Sequence, residues 1–155
     1  MTETSANSGS AMLKVLASRL GDREFCIAIA HVREIRGWTP TMPLPHAPKF
    51  VRGLVNLRGT VLPIIDLAEL LGFPTIEPTL RSAIIVLEFG EHVFGLLVDG
   101  VTEILELQPD WIQPTPQIAT DVAKSFVSGV VALEQRMISL IGVDSIVPHS
   151  APAVA

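Results

Sequence analysis

The hydrophobic residues in the central part of the chain fall into short aliphatic and β-branched runs that are separated by Gly, Pro and Asp. This spacing is typical of small antiparallel β structures, in which each run is a strand and each break is a turn. The pattern therefore predicts an all-β fold with only short helices. The predicted strands are residues 13–20, 24–30, 53–57, 61–65, 83–89, 93–98, 126–133 and 137–141.

The alternation of side chains within a strand indicates how that strand is buried. Phe25 and Ile27 share one face of the strand at 24–30, and Cys26 and Ala28 lie on the other. Both faces are apolar, so we expect this strand to be covered on both sides. After the strand at 61–65, Asp66 precedes leucines at helical spacing, which predicts a short helix that Asp66 caps.

The two halves of the chain repeat one pattern. Residues 25–35 match residues 94–104 at a spacing of 69 positions, and residues 50–65 match residues 126–141 at a spacing of 76. Two copies of a β unit, each too small to bury a large core alone, predict paired small barrels about a pseudo-two-fold axis. The groove between the barrels is then the expected place for a ligand or a partner.

Charge and composition exclude several classes of protein. The 155 residues carry a formal net charge of −5 with scattered basic residues, so we expect no nucleic-acid binding. Charged residues interrupt every apolar run before the roughly 20 residues that a membrane span needs. A single cysteine and the absence of a signal-peptide pattern favour a cytoplasmic protein. We expect residues 1–11 and 148–155 to be flexible tails.

Motifs for catalysis or metal binding are sparse. The four histidines lack zinc-ligand spacing, and no nucleophile elbow, phosphate-binding loop or dinucleotide-binding motif occurs. Cys26 lies beside alanines in an apolar strand, which favours a buried thiol over a nucleophile. We therefore expect no metal site, no cofactor and no catalytic residue. A small β-barrel enzyme that uses Asp99, Glu103 or a histidine is the alternative from another class.

The most informative polar residue is Arg58, in the turn Asn56-Leu57-Arg58-Gly59 between two hydrophobic strands. A guanidinium held at the tip of a tight turn is suited to a bidentate contact with a carboxylate, although it can also serve only to solvate the hairpin end. Glu34, a charge in an apolar stretch, is the expected internal partner of Arg58. Three valines are either core residues or part of an exposed apolar strip: Val32, Val61 and Val101.

An ordered set of motifs resembles the CheW family of bacterial chemotaxis adaptors. The most specific run is Gly53-Leu-Val-Asn-Leu-Arg-Gly59 followed by Val61-Leu-Pro-Ile-Ile-Asp-Leu67. Residues 33–36, 95–104 and 137–141 agree as well, and the resemblance extends from about Leu13 to Val147. The Pro-rich loop at residues 39–48 carries no motif from which a role can be transferred.

The resemblance implies two SH3-like five-stranded β-barrels related by pseudo-two-fold symmetry. They would form one domain at residues 12–147, with intertwined halves at roughly 12–80 and 81–147. The implied function is that of a non-enzymatic adaptor, which couples a histidine kinase of the CheA type to the cytoplasmic tips of methyl-accepting chemoreceptors. It also implies contacts with further CheW copies in rings and no direct membrane insertion. The length favours a stand-alone adaptor, in a flagellar or a pilus-linked system.

The resemblance also assigns residues to surfaces. The receptor-binding groove would accept the hydrophobic side of a receptor helix. Its residues would be Val32, Glu34, Arg58, Val61 and Val101. The kinase would bind the first barrel near Gly53 and Asn56. A third hypothesis, beside adaptor and enzyme, is a structural module that pairs only with copies of itself.

Overall fold

The protein is described from a computed structural model, and the structure describes residues 12–74, 77–114 and 126–150. Strands dominate it. They are β1 (Leu13–Leu20), β2 (Arg23–Ala28), β3 (Val32–Gly37), β4 (Val51–Leu57), β5 (Thr60–Asp66), β6 (Ala83–Phe89), β7 (His92–Val98), β8 (Gly100–Leu107), β9 (Ile112–Gln113), β10 (Val127–Leu133) and β11 (Arg136–Ile141). Two α-helices, α1 (Leu67–Leu70) and α2 (Val143–Ser150), and two 3-10 helices, Ile29–His31 and Pro109–Trp111, complete it.

The strands form two sheets, and each sheet takes strands from both halves of the chain. The six-stranded sheet has the order β9-β10-β11-β2-β1-β8, and the five-stranded sheet has the order β3-β6-β7-β5-β4. The hairpin β1–β2 of the first half therefore lies in one sheet with β8–β11 of the second half. The all-β expectation is confirmed, and the two halves of the chain exchange strands across the sheets.

The pairing register confirms the internal repeat. β2 pairs in parallel with β11, where Ile27 lies opposite Ile141. β7 pairs in parallel with β5, where Leu96 lies opposite Ile65. Leu96 is the repeat counterpart of Ile27 and Ile65 is that of Ile141, so the two parallel pairs are related by the pseudo-two-fold symmetry. Each half thus completes the sheet of the other.

Three hydrophobic clusters explain why the strands are apolar on both faces. A large cluster between the sheets contains Phe25, Ile27, Ile85 and Leu96, and we call it the shared core. Each sheet also covers a smaller cluster on its other face, with Leu62, Ile64, Ile84 and Val86 in the five-stranded sheet. The six-stranded sheet has Val15, Cys26, Leu107, Val131 and Ile138 there. Alternate residues of one strand therefore enter different clusters, as predicted for the strand that contains Cys26.

Two glycines at repeat-related positions allow a second segment of chain to pack closely against the edge of each sheet. A Cβ on Gly53 would collide with the carbonyl oxygen of Met42, which forms an isolated bridge with Leu54. A Cβ on Gly129 would meet Ile112 of β9 at 2.5 Å. β9 is a two-residue strand that pairs with β10, whereas Met42 forms only a single bridge with Leu54. One sheet therefore has six strands where five were expected.

Several element boundaries differ from the sequence-based expectation. β3 and β8 were not predicted, because charged residues interrupt their apolar pattern. Helix α2 was also not predicted, and it continues through Ser150 into the segment expected to be a tail from residue 148. Val143 and Ile146 in the first turns of this helix pack on the shared core, which explains why the segment is held in a helix. The expected tails at residues 1–11 and 151–155 lie outside the described residues.

Candidate adaptor surface

The Arg58 side chain is fixed by a two-residue hairpin turn between β4 and β5. Arg58 and Gly59 have φ values of 51° and 87°, the left-handed conformation that tight hairpins of this kind require. The amide of Gly59 donates a hydrogen bond of 2.9 Å to Oδ1 of Asn56, which closes the turn from inside. Asn56 therefore positions Arg58, and the expected placement of a guanidinium at a turn tip is confirmed.

Arg58 forms the expected ion pair with Glu34. Its Nη2 contacts Oε1 of Glu34, and Nη1 of Arg36 contacts the other carboxylate oxygen at 3.3 Å. The hydrogen bond from Arg58, helped by the one from Arg36, lowers the pKa of Glu34 below its ordinary value, although partial burial opposes this shift. The side chain of Arg58 is 67% exposed, so a partner can reach it. Arg36 was not predicted as a partner of Glu34, although its spacing of two residues from Glu34 on a strand was an available signal.

A β-bulge in β3 separates Val32 from Glu34. Val32 lies opposite Leu87 and Glu34 lies opposite Val86, so Arg33 between them has no paired position. Residues two apart normally share a face, and the extra residue of a bulge reverses that relation. Val32 therefore packs against the shared core, whereas Glu34 faces the side of Val86 and meets Arg58. The structure does not place Val32 and Glu34 on one face.

The other two valines have different surroundings. Val61 is 59% exposed, so it is a surface residue and not a core residue. Val101 is half-buried against the shared core, like its repeat counterpart Val32. Val101 also lines a separate cavity of about 560 Å³, together with Arg19 and Arg81. The five residues assigned to receptor binding therefore form an ion pair, one exposed valine and two half-buried valines.

Gly53 and Asn56, assigned to the kinase surface, differ in exposure. Gly53 is buried beneath the backbone of Met42 and has a φ of 148°. A glycine is needed here because a side chain would collide with Met42. Asn56 is exposed, although its side-chain Oδ1 accepts the hydrogen bond from the amide of Gly59 in the turn of Arg58. Their assignment to kinase binding stays a prediction.

Three groups that the sequence offered for chemistry, Cys26, Asp99 and Glu103, have structural contacts or are buried. Burial raises the pKa of the Cys26 thiol to about 12, as expected for a core residue. Asp99 accepts a 2.6 Å hydrogen bond from the amide of Gly21, and Glu103 forms a 3.0 Å ion pair with Arg136. Within residues 12–74, 77–114 and 126–150 no group of three or more His, Cys, Asp or Glu is arranged to hold a metal ion. In that same part of the chain, no helix is long and apolar enough to cross a membrane.

Comparison with known proteins gives this architecture a family. The family model described as "CheW-like domain" matches residues 14–151 of the chain. The chain belongs to the CheW-like domain family. The chemotaxis protein CheW of Rhizobium meliloti is 53% identical to this CheW-like domain over 135 residues, which is 87% of each chain. That of Klebsiella aerogenes is 36% identical, covering 82% of this chain and 76% of its own.

A solved structure is similar to this CheW-like domain as well. The scaffolding protein TtCheW of Thermoanaerobacter tengcongensis superposes with a TM-score of 0.79 at 29% identity. The match covers 85% of this chain and 90% of the other. The resemblance stated from the motifs is therefore confirmed, and so is the expected fold class, with the two sheets corresponding to the two SH3-like barrels.

Proposed function

We propose that this CheW-like domain is a cytoplasmic adaptor that couples a CheA-type histidine kinase to the signalling tips of methyl-accepting chemoreceptors. Binding two partners at once raises their effective concentration and needs no chemical step, so the adaptor would support kinase activation without being an enzyme. The family and its chemotaxis relatives support the scaffold role. Further copies of the domain are the third class of partner in such an array.

The observation that carries the receptor part of the proposal is the exposed ion pair of Arg58 and Glu34. A tight turn holds Arg58 and a β-bulge directs Glu34 toward it, so the two charges keep a fixed position at the surface. Two exposed apolar residues lie on the same strands as this hairpin and bulge, namely Ile35 of β3 at 47% and Val61 of β5 at 59% exposure. Such a mixture of apolar side chains and fixed charges is what a helix with an apolar side and a polar rim would contact.

A comparison of two cation deletions tests the receptor surface. Because Arg58 is exposed, Arg58→Ala should leave the melting temperature nearly unchanged and should weaken capture of a chemoreceptor signalling-tip fragment. The control is Lys14→Ala, which removes another exposed positive charge, from β1. Unaltered capture by the Arg58→Ala variant would remove Arg58 from the site.

Reconstitution tests the adaptor role itself. Size-exclusion chromatography of the chain with a CheA-type kinase should give a co-eluting complex. Phosphate flux through that kinase, in the presence of receptor-containing membranes, should rise when the chain is added. Self-association without kinase or receptor binding would favour the structural module and would contradict the adaptor role.

A further inference from the structure

A small cavity lies between the bulge of β3 and the hairpin turn of Arg58. Its volume is about 190 Å³, and its rim carries Arg33, Arg58 and Thr60. The buried side chains of Leu62 and Val86 also line it, although more of its surface is polar than apolar. We call it the Arg33–Arg58 cavity.

The size of the cavity limits what can occupy it. Pockets for cofactors and other small molecules are larger, at about 300–1,000 Å³. The cavity therefore fits a single side chain that a partner inserts, with an apolar stem against Leu62 and Val86 and a polar end for the rim.

The charge around the cavity indicates which polar end fits. Three arginines, Arg33, Arg36 and Arg58, lie around the cavity. Two glutamates oppose them: Glu34, and Glu88 on the same face of β6 as Val86. The patch therefore keeps an excess of positive charge in a chain whose formal net charge is −5. Arg33 is exposed and has no ion pair with any described residue. A carboxylate at the rim would complete its hydrogen bonds, since a guanidinium binds carboxylates through two parallel N–H donors.

The bulge that aims Arg33 at the cavity has a repeat counterpart with a different residue. In β8 the same register shift leaves Thr102 unpaired, and its hydroxyl donates a 3.2 Å hydrogen bond to the carbonyl of Ala17. A threonine therefore serves the structural role of this bulge position within the fold. The arginine in β3 adds a charge that the bulge does not require, and it directs that charge outward.

We propose that the Arg33–Arg58 cavity receives a glutamate or aspartate side chain from the helix of the chemoreceptor signalling tip. Arg33 makes the ion pair with that carboxylate, Thr60 lies at the same rim, and Arg58 keeps its pair with Glu34. Arg33 is then a specificity-determining residue of the adaptor surface. This inference rests on the proposed adaptor function, and it adds the chemistry by which the partner is recognised.

Binding of a soluble helical-hairpin fragment of a signalling tip tests the proposal, measured by titration calorimetry at 50, 150 and 300 mM salt. Arg33→Gln should weaken binding about five- to tenfold at low salt and should reduce the dependence of the affinity on salt. Lys14→Gln changes the net charge equally and should have neither effect. Each acidic residue of the fragment is then changed in turn to its amide.

The outcomes separate this proposal from the adaptor function. For one acidic residue of the fragment, the change to its amide should weaken binding to the unchanged chain but have little further effect on the Arg33→Gln variant. The Arg33→Glu variant should regain binding to a fragment in which that acidic residue is changed to Arg. If Arg33→Gln binds like the unchanged chain while Val61→Asp abolishes binding, the adaptor function stands and the carboxylate site is refuted. If the unchanged chain does not bind the fragment at all, the adaptor function itself fails.

Discussion

Gly53 can be required for packing against Met42 or for binding the kinase. The substitution Gly53→Ala distinguishes these two roles. A Cβ there would overlap the backbone of Met42, and the φ of 148° is a conformation that alanine rarely adopts. The strain costs about 1–3 kcal/mol. Moving Met42 away also weakens two backbone hydrogen bonds of 2.8 Å to Leu54, at about 1 kcal/mol each. We therefore expect Gly53→Ala to lower the free energy of unfolding by about 3–5 kcal/mol.

Two other glycines provide matched controls for this substitution. A Cβ on Gly37 meets no atom within 4 Å, so Gly37→Ala should leave stability nearly unchanged. At Gly129 the first atom met is Cγ2 of the Ile112 side chain, which can move more easily than backbone. Overpacking of this kind costs about 1–3 kcal/mol, so Gly129→Ala should fall between the other two.

Urea unfolding followed by circular dichroism measures the three variants, and thermal unfolding should show a loss of about 10 °C for Gly53→Ala. Equal stability of the Gly53→Ala and Gly37→Ala variants would refute the close approach of Met42. Kinase binding is then measured at a temperature where the Gly53→Ala variant is still folded. Unchanged affinity would assign Gly53 to packing alone, whereas lost affinity in a folded variant would support its place on the kinase surface.

Three further predictions concern single groups. The hydrogen bond from Arg136 lowers the pKa of Glu24, so this pair stabilises the fold above the ordinary glutamate pKa, and the contribution is lost as the pH falls through the lowered value. Arg136→Gln should therefore flatten the pH dependence of urea unfolding on the acid side, and an unchanged curve would contradict it. Cys26, whose pKa is raised to about 12, should react with a thiol reagent at pH 8 only after denaturation. Val61→Asp should keep the circular dichroism spectrum and lose receptor-fragment binding, because Val61 is exposed; an unfolded spectrum would refute that placement.

The strands that could be predicted from the sequence are those with a regular apolar pattern. Residues 13–20 and 83–89 were predicted with the bounds that the structure shows. The first alternates between apolar and polar residues and ends at a Gly-Asp turn, and the second begins with a continuous aliphatic run. The helix cap was predictable too, since Asp66 accepts a 3.2 Å hydrogen bond from the amide of Glu69. The exchange of strands between halves was not, because the sequence carries the pattern of each strand and not the identity of its neighbour.

Of the site, only the Arg58–Glu34 ion pair could be predicted, because the sequence near each of the two residues indicates its position. The turn at Arg58 is encoded by Asn56 and Gly59, and Glu34 was the one nearby carboxylate in an apolar stretch. The bulge at Arg33 was not predictable, because it depends on how β3 pairs with β6. That single unpaired residue decides which face Glu34 occupies, so the sequence suggested Val32 and Glu34 as neighbours on one surface and the fold separated them.

The repeat also explains how a chain of this size presents two different surfaces. Glu34 has a glutamate, Glu103, as its repeat counterpart, and each of the two forms an ion pair with an arginine. The two arginines, however, are not repeat counterparts of each other. Arg58 stands at a turn tip where the second half has Glu134, which adopts the same left-handed conformation with a φ of 53°. The second cation is Arg136, which also binds Glu24. One scaffold thus repeats its backbone and changes the sign of charge at the equivalent tip, so a partner that fits one end need not fit the other. An adaptor that holds unlike partners requires that difference.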